Sequence, residues 1–146
     1  MTAERPAPVM GRILGLDPGE RRVGIAVSDP GLRVAVGLPT FEAGPGRKLA
    51  VHLRELVQAY EVGRIVVGEP KTMRGERGAA AQKSVALARH LRRELGVDVV
   101  LWDERLTSVA GDRILRGSGA PKGARDRIAA TLILQGYLDR LHAEAP

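Results

Sequence analysis

Between Arg12 and Leu38 the chain has room for three short strands and for no helix. Ile13-Leu14-Gly15-Leu16-Asp17 is an apolar run that ends in Asp17-Pro18-Gly19, a strong turn signal. Val23 to Ser28 follows, then Asp29-Pro30-Gly31, then Leu32 to Leu38. Three strands joined by turns this tight read as an antiparallel meander. The hydrophobic period then changes. Leu49, Leu53, Leu56, Val57 and Tyr60 lie on one helical face. Arg64 to Gly68 reads as a strand covered on both sides. Ala81, Val85, Ala88, Leu91 and Leu95 mark a second helix, which Gly96 ends in a left-handed cap. Val97 to Trp102 is a further buried strand. Thr107 N-caps a short helix to about Leu115, and the last helix runs from about Ala124 to Leu141. The order βββαβαβαα predicts an α/β fold, with one mixed five-stranded sheet and helices on both faces.

At 146 residues the chain suits one domain. The expected division is a disordered or loosely attached arm over 1–10, a single domain over 11–142 and a tail over 143–146. There is no cysteine, which excludes disulfides, thiolate metal sites and cysteine catalysis. No run approaches the ~20 apolar residues of a membrane span, and the N-terminus lacks the apolar stretch of a signal peptide. The expected location is the cytoplasm, without a membrane partner.

The net charge of +6 is unevenly spread. Residues 69–93 carry seven basic and two acidic residues, and residues 112–127 carry five and two. Concentrated positive charge points to a polyanion, most simply nucleic acid. Lys71, Arg74, Arg77, Arg92, Arg93, Arg105, Lys122 and Arg125 are the candidate phosphate contacts. Arg105 has a second reading, as the partner of Asp103. Three acids stand out against this background. Asp17 ends the first strand, on the face of Ile13 and Gly15. Glu104 follows the last strand, and Asp126 opens the last helix, one turn before the small pair Ala129-Ala130. If the first and last strands are neighbours, all three acids meet at one rim. Clustered carboxylates suit a hard divalent cation such as Mg²⁺ or Mn²⁺. Two such ions ~3.5–4 Å apart clamp the attacking water and the leaving oxygen of a phosphodiester. Read singly, each acid has a plainer role as a turn former, an exposed ion pair or a first-turn helix acid. His52, His90 and His142 have no metal-ligand spacing.

Four blocks connect the acids. Ile13 to Gly19 with Arg22 to Asp29 resembles the opening of the YqgF family, pre-16S rRNA nucleases also described as Holliday-junction-resolvase-like. Val66 to Pro70 with Met73 and Gly75 resembles its second block, and Asp103 to Ser108 its third. Arg125-Asp126 with Ala129-Ala130 and Leu132 to Leu134 resembles its last. The resemblance spans Arg12 to Leu138 and implies a ribonuclease-H-like fold. It also implies that Asp17, Glu104 and Asp126 are the catalytic, metal-binding acids of a nuclease. The implied substrate is precursor small-subunit rRNA, in 5′-end maturation. The alternatives are a branched-DNA or Holliday-junction endonuclease and a noncatalytic nucleic-acid-binding module. Implied partners are pre-rRNA, DNA junctions or single strands, and ribosomal particles, for a monomer or homodimer. Three positions depart from the family, which usually carries Leu, Asn, and Asp or Asn where this chain has Glu69, Thr72 and Arg74. Glu69 is an accessory candidate for the metal site, because resolvase relatives are similar in placing an acid near there.

Overall fold

A computed structural model describes residues 9–46, 48–72, 74–106 and 122–144, with the backbone alone at Lys122 and Gly123. The strands are β1 (Arg12–Pro18), β2 (Arg22–Ser28), β3 (Ala35–Glu42), β4 (Val62–Glu69) and β5 (Asp98–Asp103). The helices are α1 (Leu49–Ala59), α2 (Ala79–Leu95) and α3 (Lys122–Glu144), and a 3₁₀ turn covers Glu104–Leu106. The expected short helix from Thr107 lies outside the described residues. The sheet is mixed and five-stranded, in the order β3-β2-β1-β4-β5. β1 is antiparallel to β2 and parallel to β4, and β4 is parallel to β5.

The fold class therefore stands as read, with one correction to the topology. The first and last strands are not neighbours, because β4 lies between them. A second correction concerns β3, which starts at Ala35 rather than Leu32. The Asp29 carboxylate accepts the N–H groups of Gly31, Arg33 and Val34, which keeps those residues in the turn. These bonds also hold the Asp29 carboxyl below its ordinary pKa. Past Leu38 the strand continues through Pro39, tolerable because β3 is an edge. At the ends, Val9 already packs against the core, and α3 continues to Glu144.

Each face of the sheet is buried against its own helices. Leu14, Leu16, Ile65, Val67 and Val99 pack against Leu53 of α1 and Ala88 and Leu91 of α2. Ile13, Ala26, Val66 and Trp102 pack against Ala129, Ala130, Ile133, Leu134 and Leu138 of α3. Burial on both faces explains why β1 and β4 read as almost continuous apolar runs. Arg64 interrupts β4 while only 2% exposed. It donates to Asp98 at 2.7 Å and to the Tyr137 hydroxyl at 2.9 Å, so its charge is matched. Gly96 ends α2 at φ +66°, as the sequence requires.

α3 lies close to the sheet because the strands beneath it carry glycine. A Cβ at Gly15 would stand 2.6 Å from the Leu134 Cβ. At Gly24 it would overlap the Asp126 carbonyl oxygen, and at Gly37 the Arg127 stem. Ala129 and Ala130 complete the contact from the helix side. This close seating sets the height of Asp126 above β2.

Candidate active site

The parallel strands β1, β4 and β5 end at one rim, and β2 starts there. Asp17 stands opposite Gly24 in the β1–β2 register. Alternation from Ile13 and Gly15 puts its side chain on the α3 face, where it is 5% exposed. Glu104 is 3% exposed, in the turn directly after β5. Strands two apart stand ~10 Å from each other, so Glu104 has a strand to cross before it nears Asp17. Gly68 of β4 opens the way: a Cβ there would lie only 2.9 Å from Glu104 Oε1 and 2.6 Å from Ile133 Cδ1. The Glu104 carboxylate therefore rests on bare backbone of the intervening strand. Asp126 comes from α3, whose backbone touches Gly24 beside Asp17. Three carboxylates from three elements thus share one face at one rim. Among the described residues, however, no three acidic or histidine side chains are gathered closely enough to hold one ion. The Asp126 carboxylate is turned to Arg22, with Nε to Oδ2 at 3.0 Å.

Glu69 is not with them. Alternation from Ile65 and Val67 places it on the α1/α2 face, opposite Asp103 in the β4–β5 register. Two carboxylates side by side repel unless cations are supplied, and three are. Arg77 pairs with Glu69, Arg105 pairs with Asp103 at 2.6 Å, and the Lys71 ammonium stands 3.9 Å from both acids. The hydrogen bond from Arg105 holds the Asp103 carboxyl below its ordinary pKa, and the two acids raise the pKa of Arg105 and Arg77 in turn. Gly75, at φ +82°, lies under the Arg105 guanidinium and ties the loop after β4 to the turn after β5.

This network gives three of the candidate phosphate contacts partners within the chain. Lys71, Arg77 and Arg105 are committed to acids of their own chain. Arg92 donates from Nε and Nη2 to the Val99 carbonyl at 2.9 and 2.7 Å, tying α2 to β5. Arg92 and Arg93 fall in the last turn of α2, where the helix dipole favours cations. They lie ~20 Å along the helix from the rim, at 1.5 Å per residue. Arg74 is exposed on the loop after β4, and Arg125 sits beside Asp126 on α3. Arg22, noted in the sequence only as part of a motif, is a cation that meets one of the three acids. Its partner lies 104 residues away, so no local pattern could have paired them.

The family model described as "RuvX: Holliday junction resolvase" matches residues 11–140. The chain belongs to that family. A relative from Moorella thermoacetica is 46% identical over 137 residues, covering 89% of this chain and 96% of its own length. A relative from Thermoanaerobacter pseudethanolicus is 39% identical over 133 residues, covering 88% and 96%. Both bear the description "Putative pre-16S rRNA nuclease". Among solved structures, Thermus thermophilus RuvC bound to a Holliday junction substrate matches at TM-score 0.58 and 16% identity. That match covers 93% of this chain and 98% of RuvC, and it supports the RuvC-like, ribonuclease-H-like fold. No helix among the described residues is long and apolar enough to cross a membrane. A cleft of about 440 Å³ lined by Arg12, Tyr60 and Glu61 lies at the opposite end of β1 from Asp17.

Proposed function

We propose that this chain is a cytoplasmic, divalent-cation-dependent nuclease that trims the 5′ end of 16S rRNA precursors. Asp17, Glu104 and Asp126 are its acids. The observation that carries this reading is the convergence of those three carboxylates on the α3 face at one rim. The relatives' descriptions as pre-16S rRNA nucleases supply the substrate class.

The donor set suits a hard cation: carboxylate oxygen only, with neither thiol nor imidazole. Asp126 must leave Arg22 for all three acids to act together. Held by Asp17, Glu104 and Asp126, Mg²⁺ or Mn²⁺ would supply Lewis-acid activation of water and offset negative charge on the leaving oxygen. Asp17 is held by the β1–β2 pairing and Glu104 by its seat on Gly68, so both present their oxygens from rigid backbone. Their burial keeps bulk water away and strengthens every charge interaction at the rim. Arg74 and Arg125, with Lys122 at the start of α3, orient the phosphodiester strand.

The fold and the family description favour a second substrate, the four-way DNA junction. Cutting two strands symmetrically needs a two-fold dimer with paired sites. Processing an rRNA end, within an assembling ribosomal particle, needs one site and is served by a monomer. The deciding experiment compares wild type with Asp17→Asn in Mn²⁺ or Mg²⁺. The substrates are a 5′-extended small-subunit rRNA fragment, single-stranded DNA and a four-way junction. The expected result is metal-dependent cutting of the rRNA fragment, lost in the variant. Preferential cutting of the junction would transfer the assignment to recombination. Tight binding without cutting would leave a noncatalytic binding module.

A further inference from the structure

We propose that Arg22 is a built-in counter-ion for Asp126, which gives way to a divalent cation and then takes up a phosphate of the bound strand. The proposal rests on the metal-site reading above and adds a residue to it.

Arg22 opens β2 on the α3 face, two residues before Gly24. Its Nε donates to Asp126 Oδ2 at 3.0 Å, with the two side chains 28% and 20% exposed. An ion pair this shielded from water is felt more strongly than a surface pair. The need for it is electrostatic. Asp17 and Glu104 already place two nearly buried carboxylates at this rim. A third carboxylate turned toward them without a cation would add repulsion to a desolvation cost. Drawn to Arg22, Asp126 is kept out of that cluster.

The backbone of α3 has little freedom here, because its carbonyl at Asp126 lies against Gly24. Movement is therefore confined to side chains. Asp126 has two settings: toward Arg22, or toward Asp17 once a cation offsets the repulsion. A guanidinium stays charged at every working pH and carries five donors, so a released Arg22 needs another anion. Arg22 and Asp126 line a pocket of about 250 Å³ together with Gly19, Glu20 and Arg21. A phosphate entering that pocket meets Arg21 and Arg22 together. Cation and Arg22 thus compete for one carboxylate, whereas cation and nucleic-acid strand assist each other through it.

Opposite signs follow for two binding reactions of the full-length protein. Mn²⁺ binding, followed by electron paramagnetic resonance without nucleic acid, should be about fivefold tighter in Arg22→Gln than in wild type. Arg22→Lys, with a compact charge and no fork, should fall between them. Affinity for a labelled 5′-extended rRNA fragment, read by stopped-flow anisotropy before cutting, should be unchanged by Arg22→Gln in chelator. In Mn²⁺ it should fall about threefold to tenfold, with a salt dependence smaller by about one released counterion. Mn²⁺ affinity in Arg22→Gln equal to or weaker than wild type would overturn the proposal, as would equal loss of RNA affinity with and without Mn²⁺. If Arg22→Gln does not fold, the order of wild type and Arg22→Lys in Mn²⁺ affinity decides. Asp17→Asn separates the two layers of argument. Should it bind Mn²⁺ as wild type does, the metal site itself is misplaced and the Arg22 proposal falls with it. Should it lose Mn²⁺ while Arg22→Gln shows no gain, only the Arg22 proposal fails.

Discussion

The rim of the sheet carries acids on both faces, and the two sets are assembled differently. On the α1/α2 face, Glu69 and Asp103 are matched by Lys71, Arg77 and Arg105, all within ten residues of an acid they meet. On the α3 face, Asp17 and Glu104 are nearly buried, and Asp126 meets a cation 104 residues away in sequence. The first set is a clasp that closes locally and holds two loops together. The second is assembled only when the whole sheet and α3 are in place. Strand alternation makes the division: Gly68 and Glu69 are adjacent, yet one supports Glu104 while the other faces α2. Neighbours in sequence at one rim therefore belong to different surroundings according to the face they take.

The largest expected effect is on the α3 face. Asp17→Asn and Glu104→Gln keep shape while removing the charge and turning one acceptor oxygen into a donor. Each should lower the cleavage rate by about a thousandfold or more, the scale seen when a member of a catalytic set is removed. Thermal unfolding should show that both remain folded. A loss below tenfold in either would place that acid outside the reaction.

Next comes the seat of Asp126. Gly24→Ala sets a methyl group against the Asp126 carbonyl and 3.3 Å from the Ala130 Cβ. Overpacking of this kind costs ~1–3 kcal/mol. It should also lift the start of α3 and slow cleavage by more than the stability loss explains, because Asp126 moves from Asp17. Gly44→Ala, with nothing within 4 Å of its Cβ, is the matched control and should leave both properties unchanged. Equal behaviour of the two variants would show that α3 is not held by this contact.

These effects divide along the line between what the sequence reveals and what it hides. Strands and helices were readable from period and turn residues, and the resemblance to a known family singled out Asp17, Glu104 and Asp126. Strand order was not readable, because pairing between distant segments leaves no local mark. The condition that β1 and β5 be neighbours is not met, and only the structure shows Glu104 resting on Gly68. The start of β3 was missed because Asp29 caps its own turn with three hydrogen bonds. The partners of the basic segment were not readable either, since composition sums charge without placing it. Register alone sets Glu69 beside Asp103 and draws three cations inward.

Glu69 gives the third test. If the two faces are separate, Glu69→Gln should cut within about threefold of wild type, although Glu69 ends a strand at the same rim. Its cost should be structural, ~1 kcal/mol, because Arg77 is half-exposed and water takes over part of its pairing. Cleavage lost as fully as in Asp17→Asn would return Glu69 to the metal site as an accessory ligand and erase the contrast between faces.

The smallest effect is the most specific to the clasp. Asp103 accepts from Arg105, and that bond holds its carboxyl below the ordinary range. A carboxyl with a depressed folded pKa adds stability above its unfolded pKa of ~3.9, and that stability is lost as pH falls through the folded value. Asp103→Asn removes the charge at every pH. At about pH 7 the variant should therefore unfold at lower urea than wild type, by ~1 kcal/mol or less, since Arg105 is 37% exposed. As the pH falls below ~4 the gap should narrow, because wild-type Asp103 is then protonated too. High salt at neutral pH should narrow it less, since the acid itself is shielded at 15% exposure. A gap that keeps its size from neutral to acid pH would mean that Asp103 acts through shape and neutral hydrogen bonds. The α1/α2 face would then be a packed corner of the rim, and its difference from the α3 face would no longer lie in how each side treats its charges.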